Sequence, residues 1–372
     1  MNIRAYWEDR LAKRSHQGAE RSMKGRDLPE VDFFSNDYLG LARNHYEDSE
    51  IQSEDPRWIG STGSRLLSGD SSQALELEKD LAHYHHQEAS LLYASGFMAN
   101  VGLFTCMARR GDTLIYDQYI HASIRKAIQW SGIRSYSFLH NDMADLEKKV
   151  KAGTGQRFVV SEAVFSMDGD QGDLEGIAEL CKRHEALFIV DEAHSTGVFG
   201  QGGRGLVDEL GLSNEVWCRI LTYGKAGGCH GALILGEELL IRYLQNFSYP
   251  FIYTTAPSLH SLSLIRRAYR YFEKGERQKV LHENIAYFRS LIEKELAAFF
   301  MDSSSPIQSL VMPGNEKVQE LADQLQQSGF FIKAIRSPTV PLGTERLRIC
   351  LHAHNTKEEI KTFVGLLKQL IL

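Results

Sequence analysis

The sequence predicts an α/β fold in which a large, doubly wound, mostly parallel sheet domain precedes a smaller α+β domain. Between about residues 90 and 235, short apolar runs alternate with helix-like stretches, and several of the runs are apolar on both faces. Strands of that kind are typical of a parallel sheet covered by helices. The 372 residues also exceed what one hydrophobic core usually serves, so two domains are expected.

The elements before the main sheet are predicted from charge, turn residues and helical spacing. Residues 4–24 predict a polar, basic helix or an extended arm, and residues 31–34 a short strand followed by turn-forming residues. A loop rich in glycine and serine covers residues 60–69. Apolar residues then recur at helical spacing over residues 72–86, which predicts a helix there.

Seven short apolar runs predict the strands of the main sheet. They cover residues 90–93, 112–116, 135–139, 157–165, 186–190, 218–221 and 232–235. The smaller domain is predicted from helices at 258–274, 277–299, 316–328 and 356–371 and from strands at 307–312, 330–335 and 345–351. We expect a large α/β domain over residues 36–255, a small C-terminal domain over 256–372, and an N-terminal segment, 1–35, that joins the small domain.

The composition is that of an ordinary soluble globular protein, with 43% apolar and 24% charged residues. The net charge of -6 comes from scattered charges of both signs, so neither nucleic acid nor a membrane surface is expected as a partner. Five widely spaced cysteines form no CxxC pair and predict reduced thiols in a cytoplasmic protein. The N-terminus is too charged for a signal peptide, and no apolar run is long enough to span a bilayer.

A lysine and an acid each follow a predicted buried strand. Lys225 lies between glycines after the run 218–221, and Asp191 ends the run 186–190. Pyridoxal 5'-phosphate requires a lysine for a Schiff base and an acid that keeps its ring nitrogen protonated. The pair therefore indicates a pyridoxal-phosphate enzyme of amino-acid carbanion chemistry. Asp191 would otherwise be read as a helix cap.

Other candidate residues are ambiguous when each is taken alone. His194 lies three residues after Asp191, from where it could reach the phenolic oxygen of the cofactor ring. His121 follows a predicted strand and would either stack on that ring or have only a structural role. Residues 95–100 predict a helix N-terminus, which binds phosphate through bare N–H groups but is also common capping chemistry. Arg348 alternates with apolar residues on a predicted strand. Its side chain is therefore either solvated or available to bind a substrate carboxylate through two hydrogen bonds.

Two histidine-rich stretches suggest a metal site, but we expect none. These are residues 83–86, which contain three histidines, and His352 with His354. The rest of the chain offers no matching set of ligands. A nicotinamide dehydrogenase is disfavoured because no convincing GxGxxG follows the first strand.

The motifs together resemble the α-oxoamine synthase family of fold-type I pyridoxal-phosphate enzymes, over nearly the whole chain. The matching stretches are 34–41 (FSNDYLGL), 60–69 (GSTGSRLLSG), 95–100 (SGFMAN), 117–123 (DQYIHAS), 162–169 (EAVFSMDG), 190–197 (VDEAHSTG) and 222–225 (TYGK). Within the family, residues 251–256, 305–310 and 335–341 favour the member of biotin synthesis, which joins L-alanine to a pimeloyl thioester. Whether the carrier is coenzyme A or an acyl carrier protein stays open.

The resemblance implies a role for each matching residue and a homodimer with shared active sites. Lys225 would bind the cofactor and then remove the α-proton, Asp191 would pair with the ring nitrogen, and His121 would stack on the ring. Ser166 and His194 would hold the phenolic oxygen of the ring, and Arg348 and Asn36 would hold the carboxylate of the amino acid. The phosphate would be bound by Gly96, Phe97 and Thr222, with Thr254 or Thr255 of a second subunit. Glu162 would line the reaction site, and Arg21 would contact the far end of the acyl substrate.

Two departures from the family pattern affect these expectations. Gly227 stands where a bulky apolar residue usually follows Lys-Ala, which predicts a looser turn after Lys225. The segment between Leu41 and Gly60 is short and acidic, which bears on the acyl-chain entrance. Three further functions stay open: another α-oxoamine synthase, an aminotransferase on the same fold, and a non-catalytic relative, although the last would be expected to lack Lys225.

Overall fold

The computed structural model describes residues 2–16, 31–43, 60–292 and 295–372. Its strands are β1 (Val31–Asp32), β2 (Ala89–Tyr93), β3 (Thr113–Asp117), β4 (Arg134–Phe138), β5 (Arg157–Glu162), β6 (Leu187–Asp191), β7 (Cys218–Thr222), β8 (Ala232–Gly236), β9 (Ile307–Val311), β10 (Phe330–Phe331), β11 (Lys333–Ile335) and β12 (Arg346–Cys350). Its α-helices are α1 (Ile3–His16), α2 (Ser72–Tyr84), α3 (Gly96–Phe104), α4 (Ala122–Ser131), α5 (Met143–Ala152), α6 (Leu174–Arg183), α7 (Leu206–Glu209), α8 (Glu238–Phe247), α9 (Tyr249–Ile252), α10 (Leu259–Lys274), α11 (Glu276–Ile292), α12 (Asn315–Gln327) and α13 (Lys357–Ile371).

A seven-stranded sheet forms the centre of the molecule, in the order β2-β8-β7-β6-β5-β3-β4. The five strands β3 to β7 run parallel to one another, and β8 runs antiparallel to both β2 and β7. Helices cover both faces: α3, α4 and α8 enclose one apolar cluster, and α2, α6 and α10 border the other. The prediction of a doubly wound, mostly parallel sheet is confirmed.

A smaller three-stranded antiparallel sheet, β11-β12-β9, and the parallel pair β1-β10 lie outside the main sheet. Val31 pairs with Phe330, so the N-terminal segment lies beside the C-terminal strands. This pairing agrees with an N-terminal segment that joins the small domain. The boundaries at residues 36 and 256 stay a prediction.

Three element ends differ from the expectation. The strand predicted over 157–165 ends at Glu162, because the backbone N–H of Phe165 donates to Asp170 O at 2.9 Å and closes a loop instead. The stretch 330–335 is divided, since Phe330–Phe331 pairs with β1 and Lys333–Ile335 pairs with β12. The helix predicted to reach residue 299 ends at Ile292, and Ala297–Phe299 forms a separate 3-10 turn.

A fully buried ion pair fixes β6 against β7. Arg219 on β7 donates through Nε to Glu192, directly after β6, at 2.6 Å, and neither side chain is exposed. The guanidinium also donates to the carbonyl oxygens of His85 and Arg204. These bonds satisfy a charge that burial would otherwise penalise. Among the described residues, no helix is both long enough and apolar enough to cross a bilayer.

Candidate active site

The predicted site residues converge on a cavity of about 260 Å³ at the carboxyl ends of the parallel strands. Ligands of open α/β sheets bind at that edge. The cavity is lined by Gly96, Phe97, Asn100, His121, Ser123, Glu162, Asp191, Ala193, His194, Ile220, Thr222 and Lys225. Sequence reasoning had named eight of these positions as cofactor-binding or catalytic, namely Gly96, Phe97, His121, Glu162, Asp191, His194, Thr222 and Lys225.

Lys225 lies on the short connection between the antiparallel strands β7 and β8. The N–H of Tyr223 donates to Gly231 O at 3.0 Å, and that of Gly228 donates to Lys225 O at 2.9 Å, so the turn is tightly held. Burial lowers the pKa of Lys225 to about 8, although Asp191 and Glu162 oppose the shift. A larger share of neutral, nucleophilic amine is therefore present near neutral pH than for an exposed lysine.

The turn after Lys225 also explains the glycine at position 227. A Cβ built on Gly227 would lie 2.9 Å from Tyr223 O. Gly228 has φ of +61°, and a Cβ there would lie 2.3 Å from Ala42 N. The backbone of this turn thus packs too closely for side chains, and the looser turn expected from Gly227 is not observed.

Asp191 ends β6 and is held from two sides. Its Oδ1 accepts the N–H of Ala193 at 2.9 Å, and its Oδ2 accepts Nδ2 of Asn100 at 3.2 Å. The carboxylate is buried. Because hydrogen-bond donors favour the charged form, these contacts suit an anion that faces a positively charged ring nitrogen.

A hydrogen-bonded relay joins Asp191 to His121 through Asn100 and Ser123. Asn100 Nδ2 also donates to Ser123 Oγ at 2.9 Å, and Ser123 Oγ lies 2.7 Å from His121 Nδ1. The Ser123 hydroxyl therefore donates to Nδ1, which also accepts the Ser123 N–H at 3.3 Å. This network assigns the proton of a neutral His121 to Nε2. Burial lowers the pKa of His121, which favours that neutral form.

Glu162 ends β5 and pairs in register with Asp191. Its carboxyl group accepts the backbone N–H of His121 through a short hydrogen bond. Burial, reinforced by the charge of Asp191, raises the pKa of Glu162 well above its usual value. Burial thus favours the protonated form of Glu162, and the side chain anchors the start of α4.

The opposite end of the cavity suits a phosphate group. The helix α3 begins at Gly96, and its first N–H groups have no intrahelical partner. A Cβ on Gly96 would lie 3.3 Å from Thr222 Oγ1, so the two residues form a narrow wall. Phe97 is half exposed and its ring packs edge-on against Trp130.

These features fit pyridoxal phosphate. Lys225 supplies the amine, Asp191 a buried carboxylate and α3 an anion-binding terminus. Asn100 Oδ1, buried in the same wall, has no hydrogen-bond partner within the protein. A buried acceptor of that kind is usually satisfied by a ligand or water.

A second group of residues meets beside His194. Its Nδ1 lies 2.7 Å from the hydroxyl of Tyr38, which also donates to Asn36 Oδ1 at 3.1 Å. Arg348 on β12 donates to Asn36 Oδ1 at 3.0 Å and to Ser166 O at 2.6 Å. The structure thus brings Asn36, Ser166, His194 and Arg348 together from four distant parts of the chain, as expected from the resemblance.

A cavity of about 650 Å³ shares His121 with the first cavity. It borders Ser166 and the loop 337–341, and its charged lining includes Arg125. Arg346 at its wall forms a short ion pair with Asp168, and both side chains are buried. The size and position suit a second, longer substrate next to the reacting centre.

Four predicted residues in the described part of the chain line neither cavity. Asn36 and Arg348 meet beside His194 instead. Thr254 and Thr255 also line neither cavity, and Thr255 forms an isolated bridge with Ser64 at the surface. Their predicted role was in the site of a second subunit, and it stays a prediction. Arg21 and the acidic segment 44–59 lie outside the described residues.

Sequence reasoning missed Asn100, Ser123 and Tyr38. All three lie within quoted motif stretches, 95–100, 117–123 and 34–41. The available signal was their position in those stretches, but polar residues at helix starts and turns have common structural roles. Their function follows from side-chain partners that are distant in sequence.

One cluster of possible metal ligands occurs in the described part of the chain: Asp32, His352 and His354. Sequence reasoning had noted the histidines but not the aspartate. His352 lies 3.1 Å from Asn355 Oδ1 and 3.0 Å from Ser35 O through its two ring nitrogens. Asp32 Oδ1 accepts two backbone N–H groups. Protein groups thus engage Asp32 and both ring nitrogens of His352, whereas neither buried ring nitrogen of His354 has a hydrogen-bond partner among the described residues. The expectation of no metal stays a prediction.

Comparison with known proteins adds independent findings. The family model "Aminotransferase class I and II" matches residues 29–367. An 8-amino-7-oxononanoate synthase of Stutzerimonas stutzeri (strain A1501) is 36% identical over 95% of this chain and 91% of its own.

Solved structures share the fold. A serine palmitoyltransferase of Sphingomonas wittichii superposes with a TM-score of 0.91 at 22% identity, over 100% of this chain and 98% of that one. An 8-amino-7-oxononanoate synthase of Francisella tularensis superposes with a TM-score of 0.79 at 27% identity, over 91% and 97%. With Lys225 and Asp191 in one cavity, the chain belongs to the aminotransferase class I and II family of pyridoxal-phosphate enzymes and, within it, to the α-oxoamine synthases.

Proposed function

We propose that this enzyme condenses L-alanine with a pimeloyl thioester to give 8-amino-7-oxononanoate, carbon dioxide and the free thiol, a step of biotin synthesis. The observation that carries the proposal is that Lys225, Asp191 and His194 line one cavity, together with Gly96 at the start of α3. Curated relatives at 35–36% identity are named for this reaction.

The cofactor, when bound, withdraws electrons and so stabilises negative charge on the α-carbon of the amino acid. Lys225 acts as the base that takes the α-proton, because its lowered pKa increases the share of neutral amine. Asp191 keeps positive charge on the ring nitrogen, and the relay through Asn100 fixes its orientation. Ser166 and His194 are the proposed contacts of the ring's phenolic oxygen, and His121 would stack on the ring.

Arg348 and Asn36 are proposed to hold the carboxylate of the amino acid. Arg348 is almost fully buried yet has a guanidinium edge beside Asn36 and Tyr38. A bidentate arginine grips a carboxylate more firmly than a solvated lysine does. The cavity of about 650 Å³ takes the acyl thioester, so that its carbonyl carbon approaches the α-carbon next to His121. Carbon–carbon bond formation expels the thiol, and carbon dioxide leaves from the carboxylate.

We further propose that the enzyme is a cytoplasmic homodimer. Large apolar side chains are exposed in the loop before α2, on α4 and in and just after α9, including Leu67, Trp130, Tyr249 and Tyr253. Exposed apolar groups of this kind mark interaction surfaces. The cysteines are all free, and four of the five are buried, which suits a reducing compartment.

The test is turnover of purified enzyme, loaded with pyridoxal phosphate, on L-alanine and pimeloyl-CoA. Mass spectrometry should detect 8-amino-7-oxononanoate, and carboxyl-labelled alanine should release labelled carbon dioxide in equal amount. Lys225→Ala is the control: it should bind cofactor without a covalent link and lose nearly all turnover. Condensation with glycine or serine only would mean that the enzyme is an α-oxoamine synthase with a different amino-acid substrate. Amino transfer without release of carbon dioxide would overturn the proposed reaction.

A further inference from the structure

His140 lies between two carboxylates outside the cofactor cavity. It follows β4, and its Nδ1 lies 3.0 Å from Oδ2 of Asp117, the last residue of β3. Its Nε2 lies 2.6 Å from Oδ2 of Asp170, in the loop between β5 and α6. Asp117 is fully buried, and its two oxygens also accept the N–H groups of Tyr119 and Asn141.

A positively charged imidazole fits this geometry best. A neutral ring carries one N–H, so one of its nitrogens would place a lone pair against a carboxylate. With both nitrogens protonated, the ring donates to each acid and compensates the buried charge of Asp117. Burial by itself would lower the pKa of His140, but the hydrogen bonds to Asp117 and Asp170 outweigh it and raise the pKa to about 9.

The backbone of Asp170 closes the loop that carries Ser166, while its side chain faces His140. The N–H of Phe165 donates to Asp170 O at 2.9 Å, and the N–H of Gly169 donates to Phe165 O at 2.9 Å. The Phe165 ring packs edge-on against His140, with ring centroids 4.5 Å apart. Inside this loop, Ser166 O accepts Nε of Arg348 at 2.6 Å. A displacement of Asp170 would therefore shift the position of Ser166 and, through the hydrogen bond to its carbonyl oxygen, that of the Arg348 guanidinium.

We propose that the His140 imidazolium is a positioning residue for the reaction: by bridging Asp117 and Asp170 it holds the loop of Ser166 and, through it, the guanidinium of Arg348. The proposal rests on the proposed function in assigning Ser166 to the cofactor and Arg348 to the amino-acid carboxylate. Besides the two acids, the neighbouring titratable group is Tyr119, whose ring lies 4.8 Å from the imidazole. Asp168 on the same loop is already paired with Arg346.

The test compares the holoenzyme with His140→Gln in two measurements. The first is the rate of cofactor release, followed by visible absorbance between pH 6.5 and 10.5. The second is the affinity for L-alanine, from absorbance titration at pH 7.5. We expect faster release and weaker alanine binding, each by about tenfold at pH 7.5. The ratio of variant to wild-type release rates should approach one above about pH 9 to 10, where His140 loses its second proton.

Two further variants separate charge from shape. His140→Gln/Asp170→Asn removes one of the two facing acids and should recover part of the loss, because the remaining carboxylate is no longer repelled. His184→Gln is the matched control, since His184 bonds Glu147 at 2.9 Å away from the site and should leave both measurements unchanged. A release ratio independent of pH, or no recovery in the double variant, would overturn the proposal.

If His140→Gln does not accumulate as folded protein, Asp170→Asn carries the test. Loss of one carboxylate should lower the pKa of His140, so the increase in cofactor-release rate at alkaline pH should begin at a lower pH. An increase at the same pH as in the wild type would contradict the proposed bridge between Asp117 and Asp170. These measurements need no turnover. If the holoenzyme forms no 8-amino-7-oxononanoate but the ratio of release rates depends on pH as expected, the proposed reaction is wrong and the positioning role of His140 is supported.

Discussion

At the scale of single residues, Asn100 has the most informative contacts, because one amide group joins Asp191 to Ser123 and so to His121. Asn100→Leu keeps a similar volume and removes the donor. We expect kcat with the proposed substrates to fall by about tenfold or more, since one hydrogen bond to a charged group contributes about 1.5–3 kcal/mol. Asn246→Leu, on the exposed face of α8, is the control and should retain full activity.

The same variant should change the protonation pattern of His121. In the intact relay, donors face Nδ1 and leave the proton on Nε2. Nitrogen NMR of the histidines in the holoenzyme measures this directly. We expect a single Nε2–H form in the wild type and a mixture of tautomers in Asn100→Leu. An unchanged signal would show that the relay does not set the tautomer.

The lowered pKa of Lys225 gives a prediction about pH. The neutral amine is the form that attacks the aldehyde of the cofactor, and burial lowers the pKa of Lys225 to about 8. The rate of cofactor incorporation into the apoprotein should therefore rise through about pH 8 and level off above it. Stopped-flow absorbance measures this rate. A rise centred near pH 10.5, the usual value for lysine, would mean that the cavity does not depress the pKa.

At this scale the sequence predicted residue types better than partners. Lys225 and Asp191 were found because each follows an apolar strand, and carboxyl ends of neighbouring parallel strands meet at one edge of the sheet. Tyr38 was missed because its partner, His194, is 156 positions away. No local pattern reveals such a contact, and only the resemblance indicated that residues 34–41 belong to the site.

At the scale of elements, the buried pair of Arg219 and Glu192 joins β7 to the end of β6, directly after Asp191. Arg219→Met leaves an unpaired acid in the core, and we expect a loss of about 3–5 kcal/mol of stability. Urea unfolding followed by tryptophan fluorescence measures it. Arg219→Met/Glu192→Met should recover much of the loss, while Arg266→Met, at an exposed pair with Asp80, should change stability by less than about 1 kcal/mol. Equal losses in the two single variants would contradict the argument.

Element type was predictable where burial on both faces decides it, as in Ala232–Gly236, in which all five residues are buried. Element ends were less predictable, because they depend on pairing with distant strands. Phe330–Phe331 and Lys333–Ile335 form one apolar stretch in sequence, yet they pair with β1 and β12 in different sheets. The glycine at 227 likewise follows from the proximity of Tyr223 O, which the sequence alone does not show.

At the scale of the whole molecule, the exposed apolar side chains near the site predict self-association. Tyr253 is 78% exposed and precedes Thr254 and Thr255, which the resemblance assigns to a second subunit. Tyr253→Glu should convert a dimer to monomer and lower cofactor affinity, as measured by sedimentation velocity and cofactor titration. Leu372→Glu, at the exposed C-terminus, should do neither. A wild-type monomer at micromolar concentration would overturn the expected dimer.

The contact between Asn36 and Arg348, which spans 312 positions, has a consequence for synthesis of the protein. Domains generally fold as they emerge from the ribosome, N-terminal parts first. The last strand of the seven-stranded sheet ends at Gly236, so all of its strands are available before β12 is translated. The proposed site for the amino-acid carboxylate, by contrast, needs Arg348 on β12. A nascent chain can therefore form the main sheet and position Lys225 before its substrate-binding site is complete.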